Sequence, residues 1–156
     1  MRKINFIFIL VLGLFSCNSD DNQSIENAGE INRISGTWNL TKIISNSSGV
    51  EITPIASDTH SYVLNDDGTF KRVTLKNELT TELNGTYSVT DMHALFGNEN
   101  SGIQKFIELT YISEIAFFNC GSLPGNKQLL ILTSQNLLEN ELEGICDGNS
   151  YQYMKN

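Results

Sequence analysis

The sequence predicts an all-β domain built from many short antiparallel strands, and three observations carry that prediction. Beyond Arg33, apolar and polar residues alternate with a period of two in segment after segment, as in strands with one buried face. Asp-Gly and Asn-Gly dipeptides separate these segments, and both tolerate the positive φ of tight hairpin turns. No stretch holds a 3.6-residue apolar period over three turns, so no long amphipathic helix is expected. Short strands joined by such turns imply a sandwich or a barrel. Closure into a barrel removes the edges that an all-β domain must otherwise protect.

Three segments follow in order: residues 1–16, 17–32 and 33–156. In the first, Arg2 and Lys3 precede an apolar run from Ile4 to Phe15 interrupted only by Asn5 and Gly13, the charged start and apolar core of a secretory signal peptide. The run is too short to cross a bilayer, which takes roughly 20 apolar residues, and Asn18-Ser-Asp-Asp-Asn22 follows almost at once. Leu14-Phe15-Ser16-Cys17 resembles the lipobox of bacterial lipoproteins, with Phe15 bulkier than usual at its position. The resemblance implies cleavage before Cys17 and lipid on its thiol. Each buried methylene contributes about 0.8 kcal/mol, so two or three chains would anchor the protein durably where one would not.

Residues 17–32 are rich in Asn, Ser, Asp and Glu, with Ile25, Ala28 and Ile31 as the apolar exceptions. Such a composition buries too little to order itself, so a flexible tether is expected. Asp20-Asp21 resembles the acidic surface-export tags of Bacteroidota lipoproteins, which implies an outer-membrane protein facing the cell surface rather than the periplasm.

The strands are expected in the third segment. Thr37 to Ile44 alternates, with Trp38, Leu40 and Ile44 assigned to the inner face. Ser61–Leu64 and Thr69–Leu75 flank Asn65-Asp-Asp-Gly68, and Thr80–Leu83 and Thr86–Thr90 flank Asn84-Gly85, giving two expected hairpins. Phe106 to Ile112 places Ile107, Leu109 and Tyr111 on one face, and the apolar Leu129–Thr133 suits a buried strand. Gln135 to Glu143 is compatible with a short helical turn, Glu141 to Gly144 with a further strand, and Tyr151–Met154 closes the domain.

Gly36-Thr37-Trp38, opening the first strand, resembles the Gly-x-Trp signature of lipocalins. The order of Ile34–Leu40, Leu64–Phe70, Asn84–Val89, Leu129–Thr133, Asp147-Gly148 and Tyr151-x-Tyr153 is similar to the lipocalin-like domains of Bacteroidota lipoproteins. The resemblance implies a lipocalin-like antiparallel β-barrel of about eight strands. In such a barrel Gly36 and Trp38 form a plug, and Lys155 or Arg33 covers the indole. The second lipocalin signature, Thr-Asp-Tyr, finds only a poor counterpart in Thr90-Asp91-Met92.

Formal charge is −8 for the whole chain, and loss of Arg2 and Lys3 makes it more negative. The remaining basic residues are scattered and form no stripe that would neutralise phosphates, so no nucleic-acid partner is expected. With Cys17 taken by lipid, Cys120 and Cys146 remain; in an exported protein a disulfide is expected, stabilising the fold by roughly 3.5 kcal/mol in the chain-entropy model. Neither His60 nor His93 stands at ligand spacing from these cysteines, so no metal is expected. Both histidines follow an Asp by two residues in loop-like stretches and are expected to face solvent rather than act as bases. No phosphate loop, nucleophile elbow or other cofactor motif occurs. A binding role without catalysis is therefore expected, for a small, partly apolar ligand. Tyr62, Phe70, Tyr87, Tyr111, Tyr151 and Tyr153 are the candidate wall. The alternative is a protein-interaction module using loops, with Ile115–Cys120 as contact patch.

Overall fold

The computed structural model describes residues 33–91, 102–113, 123, 125–140 and 148–156. Among these, nine strands follow one another: β1 (Gly36–Ser45), β2 (Glu51–Ile52), β3 (Asp58–Leu64), β4 (Thr69–Lys76), β5 (Leu79–Thr90), β6 (Ile103–Tyr111), β7 (Lys127–Thr133), β8 (Leu137–Asn140) and β9 (Asn149–Lys155). All the pairings are antiparallel and join neighbours along the chain, except that β1 passes over β2 to pair with β3, and β9 returns to β1. Eight strands, β1 with β3 to β9, thus close a barrel, and β2 is an additional strand on β1. The all-β antiparallel barrel expected from the sequence is the fold observed. Helical backbone among the described residues is confined to Arg33 and Ile34.

Three elements differ from expectation. Asn84-Gly85 makes no turn: Leu79 to Thr90 is one continuous strand, paired with β4 on one side and, from Gly85 onward, with β6 on the other. Glycine is needed there for close approach. A Cβ on Gly85 would overlap the Thr110 carbonyl oxygen and stand 2.6 Å from Phe70 Cε1. The hairpin turns instead at Asn77 and Glu78, both at positive φ (50° and 68°), the conformation of a two-residue type I′ turn. Gln135 to Glu143 is not a helical turn over its described part: a turn at Ser134–Asn136 leads into β8, which is tied to β7 and β9. In β1 a bulge at Thr41 shifts the pairing with β9 between Leu40 and Lys42. A bulge adds one residue and reverses the alternation beyond it, so Ile43, not Ile44, packs on the core. The Asn65–Gly68 hairpin forms as expected. Gly68 lies at φ 79°, and Asp67 Oδ1 accepts from Thr69 N at 2.9 Å and Thr69 Oγ1 at 2.6 Å. Those bonds hold the Asp67 carboxyl below its usual range.

Strand directions define two ends. Gly36, the Asn65–Gly68 and Ser134–Asn136 turns and the last residues of β9 gather at one end, the floor. The β1–β2–β3 connection and the Asn77–Glu78 turn gather at the other, the mouth. The core fills the barrel from the floor upward: Trp38, Leu64, Phe70, Tyr87, Leu109, Leu132 and Leu138 are among its buried residues. On the outer face of β6 and β7, Phe106, Leu129 and Ile131 form a separate buried cluster, against which Ile103 and Leu123 pack.

Candidate functional site

At the floor, Trp38 is 2% exposed and its Nε1 donates to the Ile34 carbonyl at 2.9 Å. Of the two candidate covers, Lys155 lies over the indole, with Nζ 5.9 Å from the ring centroid, and it donates to the Arg33 carbonyl at 2.9 Å. Gly36 makes this possible. Its φ is 137°, and a Cβ there would stand 2.5 Å from Lys155 Cε. A hollow of about 140 Å³ lies outside the indole, between Ile34, Lys105 and Lys155.

The inward-facing ladder of β3 and β4 sets the chemistry from mouth to floor. Register pairs Asp58 with Lys76, His60 with Thr74, Tyr62 with Arg72, and Leu64 with Phe70. The inner face therefore carries charged and polar side chains down to Arg72 and becomes apolar at Leu64 and Phe70. β9 repeats the gradient with Asn149, Tyr151 and Tyr153. At the mouth these faces surround a cavity of about 450 Å³. Its lining includes the polar His60, Arg72, Thr74 and Tyr151 and the apolar Leu40, Ile43, Ile52, Pro54 and Ile55.

Of the six aromatic residues expected to line a pocket, Tyr151 lines this cavity; the other five do not touch it. Tyr62 and Tyr111 donate through their hydroxyls to the Oε1 of the buried Gln128, at 2.9 and 2.6 Å. Tyr87 donates to the Asn65 carbonyl at 2.6 Å. Its phenol is pushed up to about 12, first by burial and then by the charges of Asp67 and Asp66. Phe70 packs edge-on against Tyr111 at 4.8 Å. Tyr153 Oη and His60 Nδ1 are 3.0 Å apart. Four of the tyrosine hydroxyls thus have partners within the protein, as buried phenols require, and the lower barrel is filled while the upper part is hollow.

His60 is not in a solvent-facing loop. It belongs to β3, with Tyr151 and Tyr153 rings 5.0 and 5.4 Å away. Burial, and after it the Arg72 charge, hold its imidazole down at about 3, so the ring is neutral at physiological pH. Where Nδ1 accepts from Tyr153, Nε2 carries the proton and is a donor. Arg72 reaches inward with Cζ 5.6 Å from the Tyr62 ring centroid, within cation–π range. Asn140, fully buried on the inner face of β8, has both its Oδ1 and its Nδ2 outside any hydrogen bond.

No family model, curated protein or solved structure matches the chain. Cys17, His93, Cys120, Cys146, Glu141–Gly144 and Ile115–Cys120 lie outside the described residues.

Among the described residues, large exposed apolar side chains at the mouth end include Val50, Ile52, Ile55, Leu79 and Ile112, on the connections or the strand ends beside them. His60, Arg72 and Thr74 are the site residues that sequence pattern concealed. The one available signal was the alternation of β4, which gives Arg72 and Thr74 the same face as Phe70.

Proposed function

We propose that this chain is a lipoprotein, anchored to the outer membrane by lipid on Cys17 and facing the cell surface. Its barrel binds a small, partly apolar ligand through the mouth and performs no chemistry of its own. The cavity of about 450 Å³, lined by both apolar and polar side chains, carries the binding reading. A concave site with a few convergent polar groups is the usual form of a small-molecule site. The lipobox-like Leu14–Cys17, the apolar run before it and the acidic pair Asp20-Asp21 support the anchor and its orientation. With Cys17 lipidated, Cys120 and Cys146 form a disulfide. The likeness to lipocalin-like lipoproteins rests on the same motifs and on Trp38 at the barrel floor.

Native mass spectrometry of protein purified from its own host tests the binding reading. A discrete mass excess that disappears on unfolding is expected; the bare polypeptide-plus-lipid mass under gentle conditions overturns it. Cys17→Ser should release the protein from the membrane fraction, and retention would mean that Ile4–Phe15 is itself the anchor.

A second reading, a protein-interaction module, draws support from the exposed apolar side chains around the mouth, since clustered apolar exposure marks contact surfaces. Val50→Lys with Leu79→Lys, both exposed and neither lining the cavity, separates the two. Loss of a co-purifying protein without loss of small-molecule binding favours the partner reading.

A further inference from the structure

The hollow beside Trp38 lies at the end of the barrel away from the mouth and shares no lining residue with the mouth cavity. Its apolar lining is Ile34, Trp38 and Leu132; its charged lining is Arg33, Lys105 and Lys155, all cations. Lys105 is held by Asp91 at 2.7 Å. Arg33 and Lys155 have no carboxylate partner among the described residues. Lys155 uses one of its N–H donors on the Arg33 carbonyl, at 2.9 Å, and an ammonium has others to offer. Asp66 and Asp67, on the β3–β4 turn at the same end, do not line the hollow, and Asp67 accepts from Thr69. Two uncompensated cations beside apolar side chains stand out in a protein whose formal charge is −8.

Size and chemistry together narrow what fits. The hollow measures about 140 Å³, and a cavity of about 150 Å³ holds one benzene ring. Covering the apolar lining contributes in proportion to the hydrocarbon removed from water, which a bare inorganic anion does not supply. A neutral ring would leave the guanidinium and the ammonium unused, and a cation would be repelled by both. The guanidinium also presents paired donors that match the two oxygens of a carboxylate.

We infer that this hollow is a second binding site, for a compact anion of one ring, such as a monocyclic carboxylate. The ring lies against Ile34, Trp38 and Leu132, and the oxygens accept from Arg33 and Lys155. The site is independent of whatever occupies the mouth, so the barrel carries a ligand site at each end.

Trp38 is the sole tryptophan, and its indole N–H gives one NMR signal from the wall of the hollow. Titration of the full-length chain with benzoate, benzyl alcohol and acetate, followed at that signal, tests the inference. Benzoate has ring and charge, the alcohol only the ring, and acetate only the charge. An exposed ion pair is worth up to about fivefold in affinity, so with two cations benzoate should bind about tenfold more tightly than the alcohol. Acetate, which leaves the apolar lining uncovered, should also bind about tenfold more weakly than benzoate. Arg33→Gln, at an exposed side chain, should reduce the preference for benzoate over the alcohol about three- to fivefold. Equal binding of benzoate and benzyl alcohol overturns the charge assignment, and equal binding of benzoate and acetate overturns the ring. An indole signal unmoved at about 10 mM benzoate, ten times a millimolar Kd, overturns the site itself. A preference unchanged in Arg33→Gln overturns the part given to Arg33. The comparison of the three probes needs no variant, so it decides the ligand class even if Arg33→Gln folds poorly.

Discussion

Replacing Asn140 by Leu should make this protein more stable. The side chain is fully buried on the inner face of β8, and neither its carbonyl oxygen nor its amide nitrogen makes a hydrogen bond. Leu138 precedes it on the same face, and Tyr151 is its register partner on β9. The fold supplies no protein partner to either polar atom, and an unsatisfied buried group costs about 1–3 kcal/mol. Leucine has the same number of side-chain heavy atoms in the same branched shape, so the exchange removes the penalty without opening a cavity or overpacking the strand. Allowing some relaxation in the native state, Asn140→Leu should gain about 1–3 kcal/mol, or roughly 3–6 °C in Tm per kcal/mol for a domain of this size. Urea unfolding monitored by Trp38 emission measures it as a rise in midpoint at constant slope. Asn140→Ala, which leaves a void, should gain less or lose. A Leu variant less stable than wild type by about 1 kcal/mol or more would refute the reasoning, because the amide would then have to be hydrogen-bonded in the native protein.

The remaining expectations concern the floor, the β5 glycine and pH. Trp38→Ala should cost about 3–5 kcal/mol as a large aromatic truncation and Lys155→Ala no more than roughly 0.5–2 kcal/mol, both read by denaturant titration; native emission should be blue-shifted. Gly85→Ala should destabilise by about 3 kcal/mol or more, because the obstruction is backbone that cannot move aside, whereas Gly49→Ala meets no atom and pays only for its φ of 66°. His60 is neutral in the fold down to about pH 3, whereas in the unfolded chain it takes up a proton below roughly pH 6.5. Its contribution is therefore fully present above pH 6.5 and is lost as pH falls from there towards 3, up to about 1.4 kcal/mol per pH unit. His60→Gln should flatten the difference in stability between pH 7 and pH 5, and an unchanged difference would show that the ring titrates normally.

The barrel was legible because its core strands obey the alternation, and because Asn65-Asp-Asp-Gly68 combines turn chemistry with flanking apolar runs. Gly85 misled for a physical reason. Asn-Gly is favourable in a turn, but the glycine is there to let the β6 carbonyl and the Phe70 ring approach the strand. The true turn at Asn77–Glu78 has no glycine, and a Glu at positive φ is not a pattern that propensity reveals. β2, two residues long, and β8, four residues long, are below the length at which periodicity can be read. The site was harder still. In β4 the inward residues beyond Phe70 are Arg72 and Thr74 while Val73 and Leu75 face outward, the inverse of the usual pattern, so hydrophobicity pointed to the wrong face. Four of the five tyrosines, Tyr62, Tyr87, Tyr111 and Tyr153, are core residues bonded to Gln128, Asn65 and His60.

β1 divides one edge between two partners, β3 over Gly36–Asn39 and β2 over Ile43–Ile44. Beside that division, Asp58 to His60 of β3 pair with β4 but not with β1. The wall thus contains a seam, closed by two register pairs, the Ser45–Val50 backbone bond and an exposed Lys42–Glu51 ion pair. Rupture of so few bonds is a local event, and local openings in proteins range in free energy from near zero to the full stability of the domain. Amides of residues 50–52 should therefore exchange with solvent at rates insensitive to denaturant, while those of Ile107, Leu109 and Leu130 wait for global unfolding.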